Sequence, residues 1–271
     1  MALQTSGPIS FLDITNELGG EFPTSMGEYG QVVGKQSATS TISMYDFYGV
    51  SLDVVTDYIS RYQLTNDLTD SSGGPDGTVY GGLQPPPAYL NFDGVDDYFT
   101  PGNTIDTDNF GTVSYWVWMY AGGTGIAAMG NGDCNSRFHQ QALCYEEGDA
   151  WYPKLYTQWR NGSTSGDYNY QLLTGKDSGD LPEGGKWIHV CYTRNEGYVE
   201  DVAYFNATPA EYESAGSSGG AAKTFSGSIS VGFVTTNVDQ KDFKQGISKD
   251  YRFYNRVLDI SEVQAIYDLG V

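Results

Sequence analysis

Positive charge is scarce in this sequence. Its 271 residues hold 14 Lys and Arg against 34 Asp and Glu, a formal net charge of −20. A surface of that sign repels phosphate backbones and anionic lipid, which argues against nucleic acid and membranes as partners. Cysteine is scarce too: Cys134, Cys144 and Cys191 are an odd number and far too few for a disulfide scaffold. With no CxxC pair and two isolated histidines, His139 and His189, a structural zinc site is not expected. Long apolar runs are missing. The longest, Tyr115 to Ala121, holds two Trp and falls well short of the ~18–20 residues a membrane span needs. The first residues, MALQTSGPISFLDI, have neither a basic nor an apolar segment, so no secretory signal peptide is expected.

What the chain does have is glycine, 35 residues, and tyrosine, 22 residues. Apolar content of 39% and aromatic content of 14% are enough for a folded core. The texture changes near residue 55. Residues 1–54 are rich in Ser, Thr and Gly, and Lys35 is their only base. They carry an internal echo, Ile9-Ser10-Phe11-Leu12-Asp13 and Ile42-Ser43-Met44-Tyr45-Asp46, with the polar frame repeated in Ser25-Met26-Gly27-Glu28. Each copy puts Ser at a helix N-cap and an acid three residues on, where it answers the positive helix end. The first helix is predicted over Phe11 to Leu18 and ends at Gly19-Gly20; Phe11, Ile14 and Leu18 share its apolar face. A second short helix is predicted over Met44 to Tyr48. Such pieces cannot bury an adequate core alone. The segment is therefore expected to order by packing on something else, through Ile9, Phe11, Ile14, Leu18, Ile42, Met44, Phe47 and Tyr48.

Residues 55–271 read as β structure. Candidate strands are Ser60–Leu64, Ala88–Phe92, Tyr98–Thr100, Val113–Tyr120, Ile126–Met129, Leu155–Arg160, Trp187–Thr193, Val202–Phe205, Ser228–Phe233 and Ser248–Tyr254. In the Val113 run, Val113, Tyr115, Val117 and Met119 face one way and Ser114, Trp116, Trp118 and Tyr120 the other. Both faces are then covered, which suits an inner strand of a two-sheet sandwich and places Trp116, Trp118 and Trp187 in the core. One helix closes the chain, with Asp259 as N-cap, Glu262 answering it, Val263, Ile266 and Tyr267 as its buried stripe and Gly270 as its stop.

Three stretches carry a family resemblance. They are Tyr62–Gly73 followed by Tyr89-Leu90-Asn91-Phe92-Asp93-Gly94-Val95-Asp96-Asp97-Tyr98, then Trp187-Ile188-His189-Val190, then Gly246–Leu258 with its Arg252-Phe253-Tyr254-Asn255-Arg256-Val257-Leu258 run. In order and spacing they resemble the laminin-G-like branch of the concanavalin A-like lectin and glucanase superfamily. The resemblance implies a mainly β fold, a jelly-roll sandwich of two antiparallel sheets. The chain departs from that pattern after the Trp-x-His-Val strand, where Val199–Asn206 replaces the usual Tyr-Val-Asp-Gly hairpin. Ser6-Gly7-Pro8-Ile9-Ser10, Glu17-Leu18-Gly19 and Thr41–Gly49 resemble a small N-terminal module of tailed-bacteriophage virion proteins. That resemblance implies a protein of the virion surface, assembled in the host cytoplasm, with capsid, neck or tail proteins as partners and a homo-oligomer, plausibly a trimer, as its state.

Catalysis finds little support in the residues. A glycanase needs two carboxylates flanking the glycosidic bond. Glu146-Glu147 are adjacent and point to opposite faces of any strand. Glu211-x-Glu213 alternates correctly but sits in a loop-like run, Pro209–Ser218. No Gly-x-Ser-x-Gly elbow accompanies the histidines. No cofactor is expected. Oxygen-rich turns at Asp67–Asp76, Asp93/Asp96/Asp97 and Asp106–Asn109 leave calcium open, although Asp and Gly are ordinary turn chemistry as well. Trp151, Tyr152, Tyr156 and Trp159 form the candidate sugar site, because aromatic faces stack on the C–H surface of pyranose rings; packing is the alternative use of the same rings. The late bases Lys241, Lys244, Lys249, Arg252 and Arg256 read either as a docking surface for the acidic N-terminal segment or as the charged edge of a sheet. The expected function is a non-enzymatic virion structural protein, anchored by residues 1–54 and displaying the jelly roll of residues 55–271 outward. A carbohydrate-binding lectin module is the alternative and a divergent glycanase the third.

Overall fold

The computed structural model describes residues 55, 57–64, 67–83, 89–105, 111–122, 127–130, 136–161, 168–194, 201–218, 229–235 and 241–270. The helices expected before residue 54, with their assembly residues, lie outside this set, as does the Asp106–Asn109 turn. The strands fall within the unit Asp57–Val263.

In chain order the strands are β1 (Ser60–Tyr62), β2 (Thr78–Tyr80), β3 (Leu90–Asp93), β4 (Tyr98–Thr100), β5 (Thr112–Met119), β6 (Ala127–Gly130), β7 (Ser136–Glu147), β8 (Ala150–Asn161), β9 (Tyr168–Thr174), β10 (Lys186–Thr193), β11 (Val202–Phe205), β12 (Thr208–Pro209), β13 (Glu211–Ser218), β14 (Ser230–Val231), β15 (Phe233–Thr235), β16 (Lys241–Phe243) and β17 (Gln245–Tyr254). They form a seven-stranded sheet ordered β1-β17-β5-β10-β11-β12, with β3 also on β17, and an eight-stranded sheet ordered β13-β9-β8-β7-β6-β14-β4-β2. All pairings are antiparallel, and β15 and β16 make a separate ribbon. This is a jelly-roll-like sandwich.

The core lies where the inner faces meet. Val113, Tyr115, Val117 and Met119 of β5 are buried, as the alternation predicts, beside Ile188, Val190 and Tyr192 of β10. Ala142, Leu155 and Leu173 come from the opposite sheet. Phe99 of β4 bridges the two sheets, its ring 5.1 Å from Tyr62 and 6.5 Å from Tyr251. Tyr251 stacks on Tyr115 at 5.3 Å. Several buried tyrosines serve the core because their hydroxyls find partners. Tyr62 accepts from the Gly102 N–H and donates to the Pro75 carbonyl, Tyr192 donates to Asp201, and Tyr251 donates to Ser248.

Helix α1 (Ile260–Asp268) follows the expected capping chemistry. Asp259 Oδ1 accepts from the Ser261 and Glu262 N–H groups, and Glu262 Oε2 accepts from the Asp259 N–H at 2.9 Å. Val263 and Ile266 are buried and Tyr267 half-buried. Gly270, with φ 74°, ends the helix by donating to the Tyr267 carbonyl.

Three expectations need correction. Pro209–Ser218 is not a loop: Glu211–Ser218 is strand β13, paired with β9, with an irregularity at Glu213 between Tyr212 and Ser214. Two of the late bases, Lys249 and Arg252, do not lie on a sheet edge, whereas Lys241 lies on β16 of the two-stranded ribbon. β17 lies between β5 on one side and β1 with β3 on the other. Arg252 is buried against Asp250, and Arg256 forks onto Asp57 and Glu262. Finally, Trp118 and Trp187 are half-buried on the outer face of the seven-stranded sheet, because they alternate with the inward residues of β5 and β10; Trp116 is the well-buried one of the three, at 5% exposure.

Candidate functional site

The outer face of the eight-stranded sheet carries a grouping of aromatic and charged side chains built on long strands. β7 and β8 are joined by Gly148-Asp149, and Gly148 takes the positive φ, 66°, that the first position of such a turn requires. That turn sets Tyr145 directly opposite Tyr152. The rings lie 5.6 Å apart, tilted by 39°. Lys154, two residues along the same face, places its ammonium 4.4 Å from the Tyr145 ring centre. It also pairs with Glu213 at 2.6 Å, so the irregularity in β13 brings that carboxylate onto this face. Tyr156 continues the face, opposite Gln141 and Leu172. At the turn end, Lys176 pairs with Glu147 at 2.7 Å, and Tyr145 donates to the other oxygen of Glu147.

The electrostatics follow from these contacts. The hydrogen bond and charge of Lys176 hold the Glu147 carboxyl below its ordinary range and raise Lys176 in return. Desolvation, with Asp180 and Glu147 nearby, pushes the Tyr152 phenol up, and desolvation likewise raises Tyr145. Both phenols therefore stay protonated at neutral pH and can donate. The face offers rings, phenol donors, paired carboxylates and ammoniums at fixed positions on three strands.

The four aromatic residues expected to form one sugar site do not share one surface. Trp151 and Tyr152 are adjacent on β8 and point to opposite faces. Trp151 packs half-buried against the core, while Tyr152 and Tyr156 share the outer face. Trp159 lies on β8 opposite Phe138, and its side chain is outside the described set. Tyr145 joins the face although the sequence reading left β7 out. The signal that finds it is the Gly-Asp pair between two runs of equal length.

Other clusters have structural roles. Ser114 Oγ and His189 Nε2 lie 2.7 Å apart, but both residues are buried at 1% exposure or less. Burial, reinforced by Arg252, holds His189 down to about 3, so it is neutral at physiological pH. The ligand atoms of Asp93, Asp96 and Asp97 lie within 4.8 Å of one another. Asp97 accepts from the Gly82 and Asp93 N–H groups, and Asp93 from Val95, so the oxygens of Asp93 and Asp97 brace the β3–β4 turn. On the other sheet, Trp118 meets Trp187 edge-on at 5.5 Å, and Lys249 covers the Trp187 ring at 4.5 Å. Cys144 and Cys191 are free thiols, and burial raises both.

The chain matches no protein-family model, and no curated protein matches its sequence. Solved structures do match its fold. A structure of botulinum neurotoxin type C, whose cell entry depends on interaction with two ganglioside molecules, aligns with a TM-score of 0.56 at 15% identity, over 80% of this chain and 52% of that one. The binding domain of the serotype D/C neurotoxin VPI 5993 aligns at 0.53 and 15% identity, over 78% and 52%. Domain 4 of the extracellular arabinanase AbnA from Geobacillus stearothermophilus, in complex with arabinotriose, aligns at 0.46 and 18% identity, over 79% and 98%. The chain thus spans about half the length of the two neurotoxin chains. At these identities the likeness to the two neurotoxin structures is one of fold, and it agrees with the jelly-roll-like sandwich.

Proposed function

We propose that the jelly roll is a non-catalytic carbohydrate-binding module, and that the saccharide lies on the outer face at Tyr145, Tyr152 and Tyr156. The observation that carries this reading is the pairing of outward rings with fixed polar groups on β7, β8 and β13. Rings bury the C–H face of a sugar, and the phenols and carboxylates bond its hydroxyls. The ganglioside dependence of cell entry by a neurotoxin of similar fold supports a saccharide as the ligand class. Non-catalytic use is supported by Glu147, whose carboxyl is lowered by Lys176, whereas a glycosidase acid needs its carboxyl raised. Titration of the full chain against a glycan array is expected to find a ligand. Tyr152→Ala combined with Tyr156→Ala is expected to weaken that ligand by roughly tenfold or more, with an unchanged thermal transition. Equal affinity in the variant would remove the site from this face, and release of reducing sugar would overturn the non-catalytic assignment.

We further propose that residues 1–54 tether this module to a bacteriophage virion, as a homo-oligomer on capsid, neck or tail. The support is the N-terminal sequence resemblance, together with a net charge of −20 that disfavours nucleic acid and membrane as alternatives. A chain lacking residues 1–54 is expected to fold, bind glycan and fail to join particles. Normal incorporation of the truncated chain would end this reading.

A further inference from the structure

The inner face of the eight-stranded sheet should be apolar throughout, since it faces the core. One register row breaks that rule. Gln140 of β7 lies opposite Thr157 of β8, and Thr157 opposite Gln171 of β9. Gln140 is 1% exposed and Thr157 is fully buried. Among the described residues, no group bonds Gln140 Nε2, Gln140 Oε1, Thr157 Oγ1 or Gln171 Oε1. The neighbouring row, Ala142, Leu155 and Leu173, is apolar and includes a small residue. Buried amides and hydroxyls are nearly always bonded, and leaving several without partners on one row is costly. The unbonded atoms include an amide donor, two amide acceptors and a hydroxyl that does both. Their match is a neutral O–H group, which also donates and accepts; with no ionised group in the row, a charged ligand has no counterpart there. The row lies four residues from the end of β7 at Ser136, four from the end of β8 at Asn161 and three from the start of β9 at Tyr168, so it is near one end of the sandwich.

We propose that Gln140, Thr157 and Gln171 form a binding row for neutral hydroxyl groups between the sheets, filled either by ordered water or by the hydroxyls of a saccharide. The saccharide source rests on the carbohydrate-binding reading, and the water source does not. Crystals of the full chain grown without saccharide are expected to show oxygens about 2.7–3.2 Å from Gln140 and Thr157. Soaking with galactose separates the sources: sugar hydroxyls in those positions assign the row to saccharide, and unchanged water assigns it to water. Direct bonding among the three side chains, with no oxygen between them, would overturn the proposal. Gln140→Met combined with Thr157→Val conserves volume and removes the polar atoms. With an occupant to lose, the thermal midpoint is expected to fall by about 3–6 °C. A rise in the midpoint would mean that the groups hold nothing, which also overturns the proposal. Both readouts work in sugar-free buffer, so failure of glycan binding at Tyr152 and Tyr156 is a separate result.

Discussion

Asp250→Asn is expected to destabilise the protein by about 3–5 kcal/mol, the cost of removing the carboxylate that faces two arginines, one of them buried. Arg252 is the largest fully buried side chain and is 1% exposed. Its Nε and Nη2 both donate to Asp250 Oδ2, and Arg61 Nε donates to Oδ1 at 3.1 Å. Asp250 takes φ 49°, at the register shift where β17 carries two residues, Asp250 and Tyr251, against Tyr115 of β5. That shift lets Tyr251 face the core while Arg252 returns to the outer face. Asn tolerates the same backbone, so the substitution isolates charge from conformation. Chemical denaturation should show a lowered midpoint with an unchanged slope. Asp250→Asn with Arg252→Met should recover much of the loss, because the stranded charge is then gone. A single variant as stable as the native chain would mean that water reaches Arg252.

Asp70→Ala is expected to cost about 2–4 kcal/mol, from several donors losing one acceptor. Asp70 is 2% exposed. It accepts from Ser60 Oγ, the Arg61 and Ser72 N–H groups, Ser72 Oγ and Asn103 Nδ2. Burial pushes its carboxyl up, but the hydrogen bonds outweigh burial and the net displacement is downward. Asp250 is lowered as well, with Arg252 and Arg61 overcoming burial. A carboxyl lower in the folded than in the unfolded chain stabilises above its unfolded value, near about 3.9, and loses that contribution as pH falls toward the folded value. The native chain should therefore lose stability below about pH 4, and Asp70→Ala should show a shallower loss there. Equal slopes in the two proteins would contradict this account.

Features governed by neighbours in sequence were legible. The α1 cap needs only Asp259, Glu262 and Gly270, all within one short stretch, and β5 announces itself by strict alternation. β7 was not legible because its pattern is blurred: Gln140 faces inward, while Leu143 and Tyr145 face outward. β13, Glu-Tyr-Glu-Ser-Ala-Gly-Ser-Ser, has too few apolar residues to read as a strand and gains its order from β9. Arg256 looked like surface charge because one of its partners is distant in sequence; Asp57 lies 199 positions away. Half of the candidate sugar site was legible. Tyr152 and Tyr156 share a face at a spacing of four, whereas Trp151 is turned inward by strand geometry, and Tyr145 depends on a hairpin register that the aromatic residues do not reveal.

The position of β17 sets a time order for folding. The last strand of the sandwich runs through the interior of its sheet, hydrogen-bonded to β1, the first strand, and to β5. During synthesis, β1 and β5 emerge with a gap between them that only the final stretch of chain can fill. Arg256 adds a late tie, joining Asp57 at one end of the unit to Glu262 at the other. Closure of the seven-stranded sheet must then wait until residues 245–262 have left the ribosome, and contacts of such long sequence separation form slowly. A nascent chain stalled before residue 245 would expose β5 with one flank unpaired, an edge open to wrong pairing.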